Sequence, residues 1–190
     1  MLNYNKFIEL LISLQTIIIS MMIPVFITSP YKNKINFDID LSITWQIPLI
    51  ILLTLIFKSK IVLKAFTIYL FLGLFVLPVF HQGGSLGYLL TPNFGYLIGI
   101  YPLIKIIDKY KKKDLDISML TFLKYGISAI TIMHLVGIIY IIIQMINFNQ
   151  SNLIIYYIAK FSLGKFCYHI LMLIPITILL RTINKIKFRN

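Results

Sequence analysis

Residues 119–146 read MLTFLKYGISAITIMHLVGIIYIIIQMI, a run in which Lys124 is the only charged side chain. At about 1.5 Å of rise per residue, a helix over this run outreaches the roughly 30 Å hydrocarbon layer of a bilayer. It reads as a membrane span. Five further apolar runs flank it: Phe7 to Ser29, Ser42 to Phe57, Ile61 to Phe80, Tyr88 to Ile107 and Gly164 to Leu180. The second is short, and Lys58-Ser59-Lys60 leaves only a tight turn into the third, so these two form a helical hairpin. Leu153 to Leu163 is apolar but interrupted by Lys160, and is read as an interfacial helix lying on the membrane ahead of the last span.

Composition agrees with this reading. Hydrophobic residues make up 59% of the 190 positions, and charged residues 13%. The mean hydropathy is +0.90, beyond what a soluble core absorbs. The expected architecture is an all-α integral membrane protein: a single transmembrane domain over residues 1–190, built as a bundle of six helices. The lone Cys167 excludes an internal disulfide. After Phe7 the apolar run continues past Met21 without a small-residue cleavage site, so no cleavable signal is expected.

Charge sets the orientation. With six spans both termini share a side, and that side receives Lys58 and Lys60, Lys109 to Lys113, and the Arg181 to Arg189 tail. The opposite loops offer Lys32 and Lys34. The positive-inside rule then makes both termini cytoplasmic. The net charge of +12 follows from topology, and nucleic acid is not an expected partner. The Asp108 to Asp114 loop is either simply solvated or meets anionic lipid or a cytoplasmic protein.

Polar side chains inside the spans gather in the outer half. Thr44, Trp45 and Gln46 open the second span, His81 closes the third, and Tyr88, Asn93 and Tyr96 lie at the outer start of the fourth. His134 sits about 15 residues along the fifth span, some 23 Å up, and Lys165 and His169 enter the sixth from outside. Ionisable groups at membrane depth are expensive, so several converging in one leaflet point to a pocket open to the exterior. Singly, each has a plainer reading: Trp45, Tyr88 and Tyr96 as an aromatic belt, His134 as a packed histidine beside Gly137, Lys165 as a snorkelling anchor.

Catalytic chemistry is not expected. Glu9 is the only carboxylate inside a span, three dispersed histidines make no metal site, and no glycine loop leads into Lys-Ser or Lys-Thr. The chain reads as a non-enzyme without metal or cofactor.

The loop between the third and fourth spans is the most distinctive local feature: GLFVLPVFHQGGSLGYLLTPNFGYLIG, residues 73–99. Leu77 to Phe80, Gly83-Gly84, and Gly95-Tyr96-Leu97-x-Gly99, with Thr44-x-Gln46-x-Pro48 upstream, resemble the BioY-type biotin transporters, the substrate-binding S components of energy-coupling factor (ECF) transporters. The resemblance is specific across Ile43 to Pro102. It implies a six-helix bundle in a bacterial-type plasma membrane that binds biotin from outside and docks onto a transmembrane coupling subunit driven by two ATPases. Three positions depart from the family pattern. Thr91-Pro92-Asn93 stands for Gly-Pro-Thr, and Thr16 with Ser20 stands for the small-residue docking pair of the first helix. On the last helix, His169 and Met172 stand for an Asp-x-x-Lys pair. Lys165, one turn from His169, is then the expected partner of a vitamin carboxylate. Trp45 and Tyr88 are expected to enclose the ring, and Gln46, Asn93 and His169 to meet the ureido edge. Thr44 and Tyr96 complete the expected substrate-binding set. A different small vitamin, a biotin precursor, or a purely structural membrane role stays open.

Overall fold

A computed structural model of the chain describes residues 4–25, 43–80, 83–111 and 119–179. His81, Lys32, Lys34, Lys112, Lys113 and the Arg181 to Arg189 tail lie outside them. The described chain is almost entirely helical: α1 (Tyr4–Met22), α2 (Gln46–Ile56), α3 (Ser59–Phe75), α4 (Phe94–Lys111), α5 (Met119–Asn147) and α6 (Ser151–Leu179). A short antiparallel pair, β1 (Pro24–Val25) and β2 (Ile43–Thr44), closes the C-terminal end of α1 against the start of α2.

The helices lie side by side. α1 packs on α3 and α2, α2 and α3 pack on α4, α4 makes the most extensive interface of the fold with α5, and α6 packs on α5. The surface is the inverse of a soluble protein's, with Ile19, Phe71, Phe75, Leu135, Ile139 and Leu171 exposed. Apolar surface on that scale belongs against lipid rather than water. Hydroxyls within the helices bond their own backbone, as apolar surroundings demand. Ser13 donates to the Glu9 carbonyl at 2.7 Å, Thr54 to Ile50 at 2.8 Å and Thr177 to Leu173 at 2.6 Å.

Glycine explains how α4 and α5 come so close. Gly95 and Gly99 are one turn apart on α4, and a Cβ at Gly99 would stand 2.6 Å from the Met133 carbonyl oxygen. Small residues at that spacing let two backbones meet. Pro48 falls in the first turn of α2, where its missing N–H has no intrahelical partner. Pro102 lies inside α4 and costs that helix one backbone bond.

Several boundaries differ from the sequence reading. Among the described residues, α1, α5 and α6 are long and apolar enough to cross a membrane. α2 is far shorter than the Ser42 to Phe57 run, α3 ends at Phe75 rather than Phe80, and α4 starts at Phe94, leaving Tyr88 in a separate 3-10 turn, Leu86–Leu90. The interfacial helix expected over Leu153 to Leu163 is instead the first half of α6, continuous with the last span. Lys160 does not break the helix because its ammonium lies 5.8 Å from the rings of Tyr156 and of Phe161, leaning along the helix rather than into the core. The docking pair is also divided. Ser20 is fully buried with Ser13 and Ile17 on the inner face of α1, whereas Thr16 is half-buried and bonds Ile12. In this arrangement Ser20 offers no surface to a partner.

Candidate functional site

At the end of the bundle that holds the starts of α2 and α4, the helices part around a cavity of about 80 Å³. Met21 from α1, Ile43 and Thr44 from β2, and Gln46 and Ile47 from the first turn of α2 form one side. Tyr88, Asn93 and the first turns of α4 (Tyr96, Leu97, Ile100) form another. Met133 and His134 of α5 and Phe161, Lys165 and His169 of α6 close it. Five helices and the 3-10 turn between α3 and α4 thus contribute. Most of the wall is apolar, with a few polar groups set into it, the usual composition of a small-molecule site.

The 3-10 turn is placed by contacts at both edges. Gly83 adopts φ +117, a left-handed conformation that a side chain would strain. The Tyr88 ring packs on Phe80 with centroids 4.6 Å apart, and Phe80 packs in turn on Tyr69. On α5, the Tyr140 hydroxyl donates to the Leu89 carbonyl, and Gln144 Nε2 reaches the same oxygen at 3.5 Å.

On α6 a π turn, Ala159–Leu163, precedes the segment Gly164–Leu171. The extra residue in such a turn rotates the helix face, a device frequent at functional sites. Here Phe161, Lys165 and His169 face the cavity, with the Lys165 ammonium 5.2 Å from the centre of the Phe161 ring. The π turn also turns Ser162 toward α5. Its hydroxyl lies 2.6 Å from the Tyr96 hydroxyl and 3.2 Å from His134 Nδ1, and His134 Nε2 lies 3.2 Å from His169 Nδ1.

One polar atom in the wall lacks a partner among the described residues. Gln46 is 4% exposed and its Nε2 is buried without a hydrogen bond. A buried amide donor left unpaired costs about 1–3 kcal/mol.

Of the residues singled out from sequence, Thr44, Gln46, Tyr88, Asn93, Tyr96, Lys165 and His169 all line this cavity. Trp45 is not in the lining: it caps α2, half-buried, with its backbone N–H donating to the Ile23 carbonyl at 3.4 Å. His134, read from sequence as a polar residue in the outer half, joins the wall. Met21, Met133 and Phe161 were not foreseen there, because an apolar residue in an apolar span carries no local signal. Ser162 was missed as well, since only the π turn directs it inward. No cluster of three metal-ligating side chains occurs among the described residues.

Comparison with known proteins agrees with the geometry. The BioY family pattern matches residues 6–185, nearly the whole chain. The chain belongs to the BioY family. Among curated relatives, the "Probable biotin transporter BioY" of Lysinibacillus sphaericus is 59% identical over 32 residues, and this alignment spans 17% of the present chain and 16% of that protein. Among solved structures, the S-component for biotin from an ECF-type ABC transporter superposes with a TM-score of 0.63 at 18% identity, covering 95% of each chain. At that identity the likeness speaks for the fold. This BioY chain is thus a membrane protein whose helices are arranged as in an ECF S component.

Proposed function

We propose that the protein is the substrate-binding S component of an energy-coupling factor transporter for biotin. The observation that carries this reading is the convergence, in a member of the BioY family, of seven sequence-selected side chains on one cavity. Biotin presents an apolar ring, a ureido group and a carboxylate, and the cavity has a wall for each. Tyr88, Phe161, Leu97 and Ile100 meet the ring, Gln46, Asn93 and His169 meet the ureido edge, and Lys165 pairs with the carboxylate. Trp45, expected beside the ring, leaves that role to Phe161.

Under this reading the chain is one transmembrane domain of six spans with both termini cytoplasmic, in a bacterial-type plasma membrane. The short α2 starts beside the β pair at the outer surface and runs to the cytoplasmic side, where the Lys111 ammonium donates to the Phe57 carbonyl at 2.9 Å. The partners are a transmembrane coupling subunit and two ATPase subunits. Since Ser20 is buried, docking uses the exposed face of α1 rather than the Thr16 and Ser20 pair. The cavity also suits a smaller precursor of biotin, whose affinity is the direct comparison. Purified protein in detergent should bind biotin saturably and one-to-one, and should copurify with an ATPase pair from its host. Absence of saturable binding would sink the biotin assignment.

A further inference from the structure

The hydrogen bonds behind the cavity wall form a single file from one lining residue to another. Tyr96 and His169 both face the cavity, and between them run Ser162 and His134 through contacts of 2.6, 3.2 and 3.2 Å. Ser162, His134 and His169 are all buried. The file is held rigidly: the Tyr96 ring rests on Gly137, where a Cβ would stand 2.5 Å from it, and the His134 ring is packed edge-on by both Tyr96 and Phe166.

A hydroxyl carries one hydrogen and accepts others, and a neutral imidazole carries one N–H and one bare nitrogen. With both rings neutral the file therefore has two self-consistent arrangements. In one, Tyr96 donates to Ser162, Ser162 to His134 Nδ1, and His134 Nε2–H to His169 Nδ1. The cavity then sees a Tyr96 oxygen as acceptor and a His169 Nε2–H as donor. In the other every bond reverses, and the cavity sees a Tyr96 O–H as donor and a bare His169 Nε2 as acceptor. Both arrangements hold the same number of hydrogens.

We propose that Tyr96, Ser162, His134 and His169 act as one reversible hydrogen-bond chain that sets the donor and acceptor pattern of the binding cavity. Ser162 and His134 are its positioning residues: they couple two ligand-facing groups that do not touch each other. The ligand class it favours is a planar polar group with a donor and an acceptor fixed in relation to one another, as in a cyclic urea. This deepens the biotin reading, and rests on it only for the identity of that ligand. An analogue with two donors or two acceptors is matched at one end and faces a like group at the other, so discrimination arises at one end from what is bound at the other.

The test is imidazole 15N NMR on the full chain in detergent, with histidine labelled, because protonated and bare ring nitrogens resonate far apart. Without ligand, Ser162→Ala should move the His169 resonances, although the Ser162 hydroxyl bonds Tyr96 and His134 and reaches His169 through His134 alone. Biotin should drive both wild-type rings to one tautomer. In Ser162→Ala biotin affinity should fall about ten-fold, as when one buried partner is removed, and Ser162→Thr should restore both affinity and tautomer. Should Ser162→Ala not fold, Tyr96→Phe cuts the chain at its end and must move the His134 resonances. Unchanged His169 resonances in Ser162→Ala, or unchanged His134 resonances in Tyr96→Phe, would overturn the chain. If the wild type binds no biotin while the rings still respond to Ser162→Ala, the biotin assignment fails and the chain stands.

Discussion

Lys165 and His169 were legible as a pair, because residues four apart on a helix share a face. The structure places both in one cavity wall. If Lys165 holds the carboxylate, Lys165→Met should weaken biotin binding by about 1.5–3 kcal/mol, the range for hydrogen bonds to charged groups. A biotin amide, lacking the negative charge, should bind wild type and mutant alike. Equal affinities of the two proteins for biotin itself, measured by calorimetry, would leave Lys165 as an anchor only. Not every neighbour in sequence followed. Thr44 and Gln46 reach the cavity while Trp45 between them does not, because the cap of α2 ties the Trp45 amide to Ile23. Proximity along the chain at a helix start says little about direction.

Helices were easier to find than their ends. The long apolar runs of α1 and α5 are plain in the sequence, whereas the sequence reading divides α6 between Leu163 and Gly164, although the helix runs on from Ser151 to Leu179. The lysine inside the first part, Lys160, looks like an interruption, but its long aliphatic stem lets the charge leave the core without breaking the backbone. The π turn has no sequence signature, and with it Ser162 stayed hidden. The α4–α5 contact was readable in part, since Gly95 and Gly99 recur at helical spacing. Its depth shows in the measurement at Gly99: an added methyl would collide with the Met133 backbone, which cannot yield as a side chain would. Gly99→Ala should therefore cost about 1–3 kcal/mol, as overpacking does, and lower the melting temperature in detergent. An unchanged melting temperature would mean that α4 and α5 slide apart without penalty.

For the molecule as a whole, hydropathy points to the class and charge to an expected orientation, while the way five of the helices converge on one cavity is long-range packing that no local pattern records. Orientation has a direct test. In a background with Cys167→Ser, a cysteine at Ser85 or Gln150 should react with an impermeant reagent added to intact cells, and one at Lys60 should not. Reaction at position 60 would reverse the topology. The Leu89 carbonyl, shared by Tyr140 and Gln144 of α5, bears on time rather than on affinity. A cavity of about 80 Å³ is well below the roughly 300 Å³ at which sites for drug-sized ligands begin. A vitamin must therefore wait for the wall to part, and the pliable side chains of Met21 and Met133 yield sooner than a turn moored twice to α5. Loosening that mooring should lower the barrier in both directions alike. Tyr140→Phe should accelerate biotin association and dissociation by a similar factor, leaving their ratio nearly unchanged, and stopped-flow binding that showed only one of the two rates altered would place the slow step elsewhere.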